Sequence, residues 1–548
     1  MKNGITTSDF LKKHMNTLYN EIKNGAKKKI TLITTLCTTL VTFFYMYNGK
    51  LQAPGGSSHF FRWAEGLLRF GELNIHYVQR DVGYPLLIWL SGYSVSGDIK
   101  ILLLFHFLIA CSGPIIVYFT LRNVNTIFAS ISAIVFAVSS LPSNLSLFIH
   151  HDIFHIFLVN LGLYYFCSYI KTNESKKLFA GAMFLFLASI TRPVSKYYLL
   201  SLLVIIFFLQ CFKNNKLKLK QILCVFFISV LLFGTYSVYR NLIFANKIFY
   251  DLPSYTGAQI FYGPFVNSKD YTINLSNVRT PAIKSIQSNI SNLIEEKRSR
   301  FNSFVVSGDL EKNEKERVLS LKNAEIVQEM FDNPYAGYFH YFTESMFVSS
   351  KGNKDLIIAA IDTAFYNPFF IGKYCARNML HGMFNPTFLH PRWSTRFTEG
   401  GISCLLTDGL EGNDFVAFKD SARDTFKTFN SHSGLLKTRA RILDALDTYY
   451  KRYYRKIICI LSVIGLLNLV LVLFKRGDKH LNKIYLLLQS SIWYHNFVVS
   501  LTAEPFDRYQ QIWLLSVYLC FLISVLNYAF LIKRTLIKTN EKQNISIY

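Results

Sequence analysis

Long apolar runs, divided by short loops that are alternately basic and acidic, constrain this chain more than any other feature. Runs such as Tyr197 to Phe212 and Ile457 to Phe474 approach the length that crosses a hydrocarbon core of about 30 Å. Half of the 548 residues are hydrophobic (51%), and a water-soluble protein could not bury so many unbroken stretches. The pattern predicts an all-α polytopic membrane protein with about ten spans, at 30–47, 101–121, 126–143, 152–170, 178–193, 197–212, 221–244, 456–474, 483–503 and 510–532.

The basic residues set the orientation. Lys12, Lys13, Lys23, Lys27, Lys28 and Lys29 precede the first span. Arg122, then Lys171, Lys176 and Lys177, then Lys213, Lys216, Lys218 and Lys220 fall on alternate loops. Lys475, Arg476, Lys479 and Lys483, and finally Lys533, Arg534 and Lys538, continue the series. Ten crossings put all of these on one side, so both termini are expected in the cytoplasm of a multi-pass protein of a bacterial inner or cell membrane. The N-terminal segment lacks a small-residue cleavage site and reads as a span, not a cleaved signal.

A net charge of +25 also raises nucleic acid as a partner. The long stretch 245–455 argues against it, with 26 Lys and Arg against 22 Asp and Glu. Most of the surplus lies in the membrane part, where positive-inside topology accounts for it. Seven of the nine cysteines sit in or at spans, as small hydrophobes do. Cys375 and Cys404 fall in the outer stretch, where an oxidising compartment would favour a disulfide between them.

The organisation that follows is a cytoplasmic tail (1–29), an N-terminal membrane module (30–244) with a first outer loop (48–100), and a largely helical outer-face soluble region (245–455). A C-terminal membrane module (456–535) and a second cytoplasmic tail (536–548) complete it. In the first loop, His59 to Phe70 has Phe60, Trp63, Ala64, Leu67 and Leu68 on one helical face, which predicts a helix lying in the interface plane. Pro85 to Leu90 is apolar but too short to span. Helical patterns are expected at 281–300 and 313–331, with Asn-Pro and His-Pro steps as breaks.

Outside 245–455 the chain has 12 acids, and seven map to the outer face: Glu65, Glu72, Asp81, Asp98, Asp152, Glu504 and Asp507. Acids beside membrane spans are costly and tend to be functional. Asp81 and Asp152 stand out because each begins an apolar segment. His151 and His155 are four residues apart on the fourth span, with Asp152 beside the first. That face suits a divalent cation or a phosphate, and capping of the helix by Asp152 is the simpler alternative. Arg192 at the outer end of the fifth span, Lys196 just beyond it, and Arg508 at the start of the last span offer donors to phosphate oxygens. Anchoring at the interface is the plainer alternative for Lys196 and Arg508.

The order of these features resembles the GT-C fold glycosyltransferases, most closely the aminoarabinose transferases and protein mannosyltransferases. The residues that carry the resemblance are Phe61-Arg62-Trp63-Ala64-Glu65-Gly66-Leu67-Leu68, Gly83-Tyr84-Pro85-Leu86-Leu87, Asp152, Thr191-Arg192-Pro193 and Arg508-Tyr509. The resemblance implies a GT-C-like enzyme that moves a sugar from a polyprenyl-phosphate donor to a surface glycan, lipopolysaccharide, lipid or exported protein. Asp81, Glu65 or Asp152 would act as the catalytic carboxylate, and Arg508, Arg192, Lys196, Tyr84 and Tyr509 would hold the donor phosphate. At the start of the first loop, where such enzymes carry an acid, this chain reads Gly56-Ser57-Ser58-His59, so Asp81 or Glu65 would take its place. Asp81 ranks first, because Arg80 beside it would keep it ionised and the Gly83-Tyr84-Pro85 turn would hold it. A polysaccharide polymerase or ligase is the nearest alternative. A glycolipid transporter is another, but it would show mid-span charges and two related halves.

Overall fold

The computed structural model describes residues 7–48, 51, 57–71, 81–122, 124–139, 145–192, 195, 197–211, 216–249, 368–384, 459–474, 477–502 and 507–545, with isolated positions between 357 and 457. Among the described residues the architecture is helical and contains no strand. The long helices are α1 (Thr7–Asn48), α5 (Lys100–Leu121), α6 (Thr126–Val138), α7 (His151–Thr172), α8 (Ser175–Ser189), α9 (Tyr198–Cys211) and α10 (Lys216–Ala245). In the C-terminal half come α11 (Pro368–Phe384), α12 (Cys459–Leu473), α13 (Lys479–Thr502) and α14 (Asp507–Ile545). Three short helices, α2 (Ser57–Glu65), α3 (Gly83–Leu90) and α4 (Tyr93–Ser96), lie in the first loop.

Five segments are long and apolar enough to cross a membrane: Gly25–Tyr47, Lys100–Leu121, His151–Thr172, Leu219–Ala245 and Trp513–Ile537. The other expected spans are also helical, but shorter or more polar. Thr126–Val138, Tyr198–Leu209 and Cys459–Leu473 are short apolar helices, α8 has 15 residues, and α13 carries Asn482, Gln489, His495 and Asn496.

Helix α7 is central, packing on α5, α8, α13 and α14 and touching α3. Its closest partner is α8, and two glycines set that approach. A Cβ on Gly162 would stand 3.2 Å from the Gly181 carbonyl oxygen, and one on Gly181 3.1 Å from that of Gly162. Small residues of this kind let two helix backbones meet where side-chain packing must hold them. Hydrogen bonds tie α1 to its neighbours, from Tyr45 to the Val138 carbonyl (2.7 Å) and between Thr34 and Ser130 (2.6 Å).

The connections gather by charge. Lys171 at the end of α7 lies within electrostatic reach of Arg122, Lys177, Lys27 and Asp478, so basic loops far apart in sequence share one end of the bundle. The first loop sits at the other end, held to the last turns of α10. There the Tyr239 hydroxyl donates to the Leu67 carbonyl (2.9 Å), and the Gly71 N–H donates to that of Ile243 (2.9 Å).

One expectation needs correction. The helix expected to lie in the interface is internal. Phe60, Phe61 and Trp63 are all at most 1% exposed, so α2 buries more than one face and packs on α3, while Arg62 within it and Leu68 and Phe70 beyond it are exposed. Cys375, on α11, is buried with a free thiol among the described residues; Cys404, and with it the expected bond, lies outside them. The helices expected at 281–300 and 313–331 also lie outside them.

Candidate functional site

Helix α7 begins at His151, and the residue before it, His150, is in extended conformation (φ −150°, ψ 155°). That change of backbone direction swings the His150 ring back over the first turn. Its Nδ1 donates to Asp152 Oδ2 (2.9 Å), while His151 Nε2 lies 3.4 Å from Oδ1. The Phe60 ring covers both imidazoles, with centroids 5.5 and 5.1 Å away.

Arg192 follows the end of α8, where the turn through Ile190 and Thr191 delivers it. Its Nη1 donates to Asp152 Oδ1 at 2.6 Å, and both side chains are under 10% exposed. The pair is short and charge-assisted, and it is shielded from water by its surroundings. Asp152 does not cap the helix, because His150 is the N-cap residue; the acid sits in the first turn, where the helix dipole favours it.

Asp81 forms a second centre next to this one. It is 6% exposed. The Tyr236 hydroxyl donates to its Oδ1 (2.8 Å), and Arg240 Nη1 stands 3.8 Å away, both from the last turns of α10. Two residues on, the Gly83 N–H donates to the Ile190 carbonyl at 2.6 Å. The Asp81–Pro85 motif is thereby docked on the Thr191–Arg192 motif, so segments more than a hundred residues apart in sequence form one site.

Tyr84 is fully buried, and its partner is a histidine. His106 Nδ1 donates to the Ser146 carbonyl (2.9 Å), which leaves Nε2 to accept from the Tyr84 hydroxyl (3.0 Å). Burial, with the Asp152 charge nearby, pushes the Tyr84 phenol well above its ordinary value and keeps it a donor. The expected phosphate contact at Tyr84 is therefore replaced by an internal hydrogen bond.

His155 also turns elsewhere. Its Nε2 pairs with Ser195 Oγ at 2.7 Å, beside His495 of α13, which packs on the Tyr198 ring at 4.3 Å. The metal set expected from the sequence, His151, Asp152 and His155, is thus corrected to His150, His151 and Asp152, whose ligand atoms lie within 4.8 Å of one another. Two imidazoles and a carboxylate suit a first-row divalent ion. Here, however, the Arg192 guanidinium already sits on Asp152 Oδ1 and balances its charge, so as arranged the cluster does not fit a metal.

Glu65 closes α2 and is half-buried. Lys196 lies outside the described residues. Arg508 and Tyr509 fall in the first turn of α14, with their side chains outside the described set. Sequence reasoning missed His106, Ser195, Tyr198, Tyr236, Arg240 and His495. A polar ring inside an apolar run, as at His106, was the available signal.

No protein-family model matches the chain, and no curated protein matches it.

Proposed function

We propose that the protein is a membrane glycosyltransferase that moves a sugar from a polyprenyl-phosphate donor to a cell-surface acceptor at the outer face of the membrane. The reading is supported most by the joining of two buried carboxylates, Asp81 and Asp152, and a buried arginine, Arg192, through the Gly83–Ile190 hydrogen bond. These lie at the end of the helices away from Lys27, Arg122, Lys171 and Lys177. The positive-inside rule assigns that basic end to the cytoplasm and both termini with it.

In this reaction Asp81 takes the proton of the acceptor hydroxyl. The hydroxyl oxygen bonds to the anomeric carbon as the bond from that carbon to the phosphate oxygen breaks, and the polyprenyl phosphate leaves with the electron pair. Arg508 and Arg192 stabilise the charge that develops on it, and Asp152 fixes the orientation of Arg192. Tyr236 holds Asp81 in place.

The deciding experiment is mass analysis of surface glycans and polyprenyl-linked sugars in a deletion strain. Loss of one sugar with accumulation of its lipid-linked form is expected. An unchanged profile would sink the reading. Loss of polymer length with every sugar still present would favour a polymerase or ligase instead.

A further inference from the structure

We infer that one water molecule is built into the membrane-embedded core between α5, α7 and α14. A cavity of about 10 Å³ lies there, with Thr120, Asn160, Tyr164, Cys167 and Ser516 on its wall. That is the room one water needs. Two polar atoms on the wall, Asn160 Oδ1 and Ser516 Oγ, are buried and have no hydrogen-bond partner among the protein's own groups. They come from helices more than three hundred residues apart in sequence and meet at the same small space.

In the hydrocarbon region an unsatisfied carbonyl or hydroxyl is costly, and bulk water cannot reach it. A single water resolves both. It donates one hydrogen to Asn160 Oδ1 and accepts the Ser516 hydroxyl hydrogen. Its second hydrogen goes to Thr120 Oγ1, which lines the same cavity and, having given its own hydrogen to the Ile116 carbonyl (2.7 Å), can still accept one. Three bonds is the usual complement of a buried water. No charged residue lines the cavity, which favours a neutral occupant over a cation. The inference stands apart from the proposed reaction.

The test is cryo-electron microscopy of the full chain in lipid nanodiscs, at a resolution that shows ordered water. One peak in contact with Asn160 and Ser516 is expected, and a cavity without density overturns the proposal. Thermal unfolding supplies an independent reading. Asn160→Leu and Ser516→Ala should each lower Tm by roughly 2–4 °C, and the double variant should fall no further than the worse single one, because both act through the same water. Additive losses, or no loss in either single variant, overturn it. A Tm that rises with sodium but not with choline would assign the space to a cation and overturn it too. Should a variant fail to fold, the wild-type map still decides.

Discussion

Gly83 lies so close to Thr191 that a single added carbon would not fit between them. A Cβ on Gly83 would stand 2.8 Å from the Thr191 Cα and 2.9 Å from the Ile190 carbonyl oxygen, both of them backbone atoms that cannot swing away. The contact aligns the Gly83 N–H with that carbonyl and holds the segment that follows Asp81 against the turn that carries Arg192. Glycine is needed here for space and not for its dihedral freedom.

Gly83→Ala should therefore separate the two motifs. A lower Tm and loss of the glycan product in a complementation assay are expected. Gly234→Ala is the control: its position in α10 has nothing within 4 Å of an added Cβ, and alanine favours a helix over glycine by up to about 1 kcal/mol. If Gly83→Ala behaves like Gly234→Ala, the close contact does not organise the site.

The Asp152–Arg192 pair should show the asymmetry of buried ions. Removing one partner leaves an uncompensated charge, at a cost of about 3–5 kcal/mol, so Asp152→Leu and Arg192→Met alone should each unfold far more readily. The double variant should recover much of the lost stability while remaining inactive. Thermal unfolding of all three in detergent checks this, and a double variant worse than either single one would contradict it.

Asp81→Asn separates basicity from structure. The amide retains an oxygen that can accept the Tyr236 hydroxyl hydrogen, so the protein should insert and fold normally. Transfer should drop roughly 100- to 10,000-fold if Asp81 is the general base. Glu65→Gln is the comparison. Should Glu65→Gln abolish product and Asp81→Asn keep it, the base is Glu65; if both keep it, Asp152 is next.

Much of this was legible in the sequence, and the boundary of legibility has a physical cause. Apolar runs and basic loops located the helices because span length and interface charge act locally along the chain. Asp81, Asp152 and Arg192 were identified as isolated residues for the same reason. Which of them touch was hidden, since periodicity says nothing about neighbouring helices. His155 was grouped with His151 by helical spacing, correct for the helix but blind to Ser195 across the groove. His150 was passed over because helical geometry does not apply to a cap residue with extended backbone. Gly83 was picked out only within the Gly83–Leu87 stretch, whereas its role comes from its contact with Thr191.

Cys375 offers a pH test outside the spans. Burial pushes its thiol up to about 11, and only the thiolate attacks a maleimide. At pH 7.5 the folded protein should be modified there slowly. The rate should climb as pH approaches 11, because the thiolate fraction grows as the pH nears the raised value. Denaturation should abolish the difference. Fast labelling of Cys375 at neutral pH in the folded protein would show that the thiol is accessible and α11 is not seated on α13.

The glycine contact between α7 and α8 has a mechanical consequence. Asp152 rides on the first turn of α7 and Arg192 on the turn just past α8, so helices locked at Gly162 and Gly181 carry both residues as a single rigid jaw. The jaw cannot be prised apart without breaking the backbone contact that defines it. Any change in the distance between the acid and the arginine must therefore come from the short turns that carry them and not from a sliding of α7 on α8.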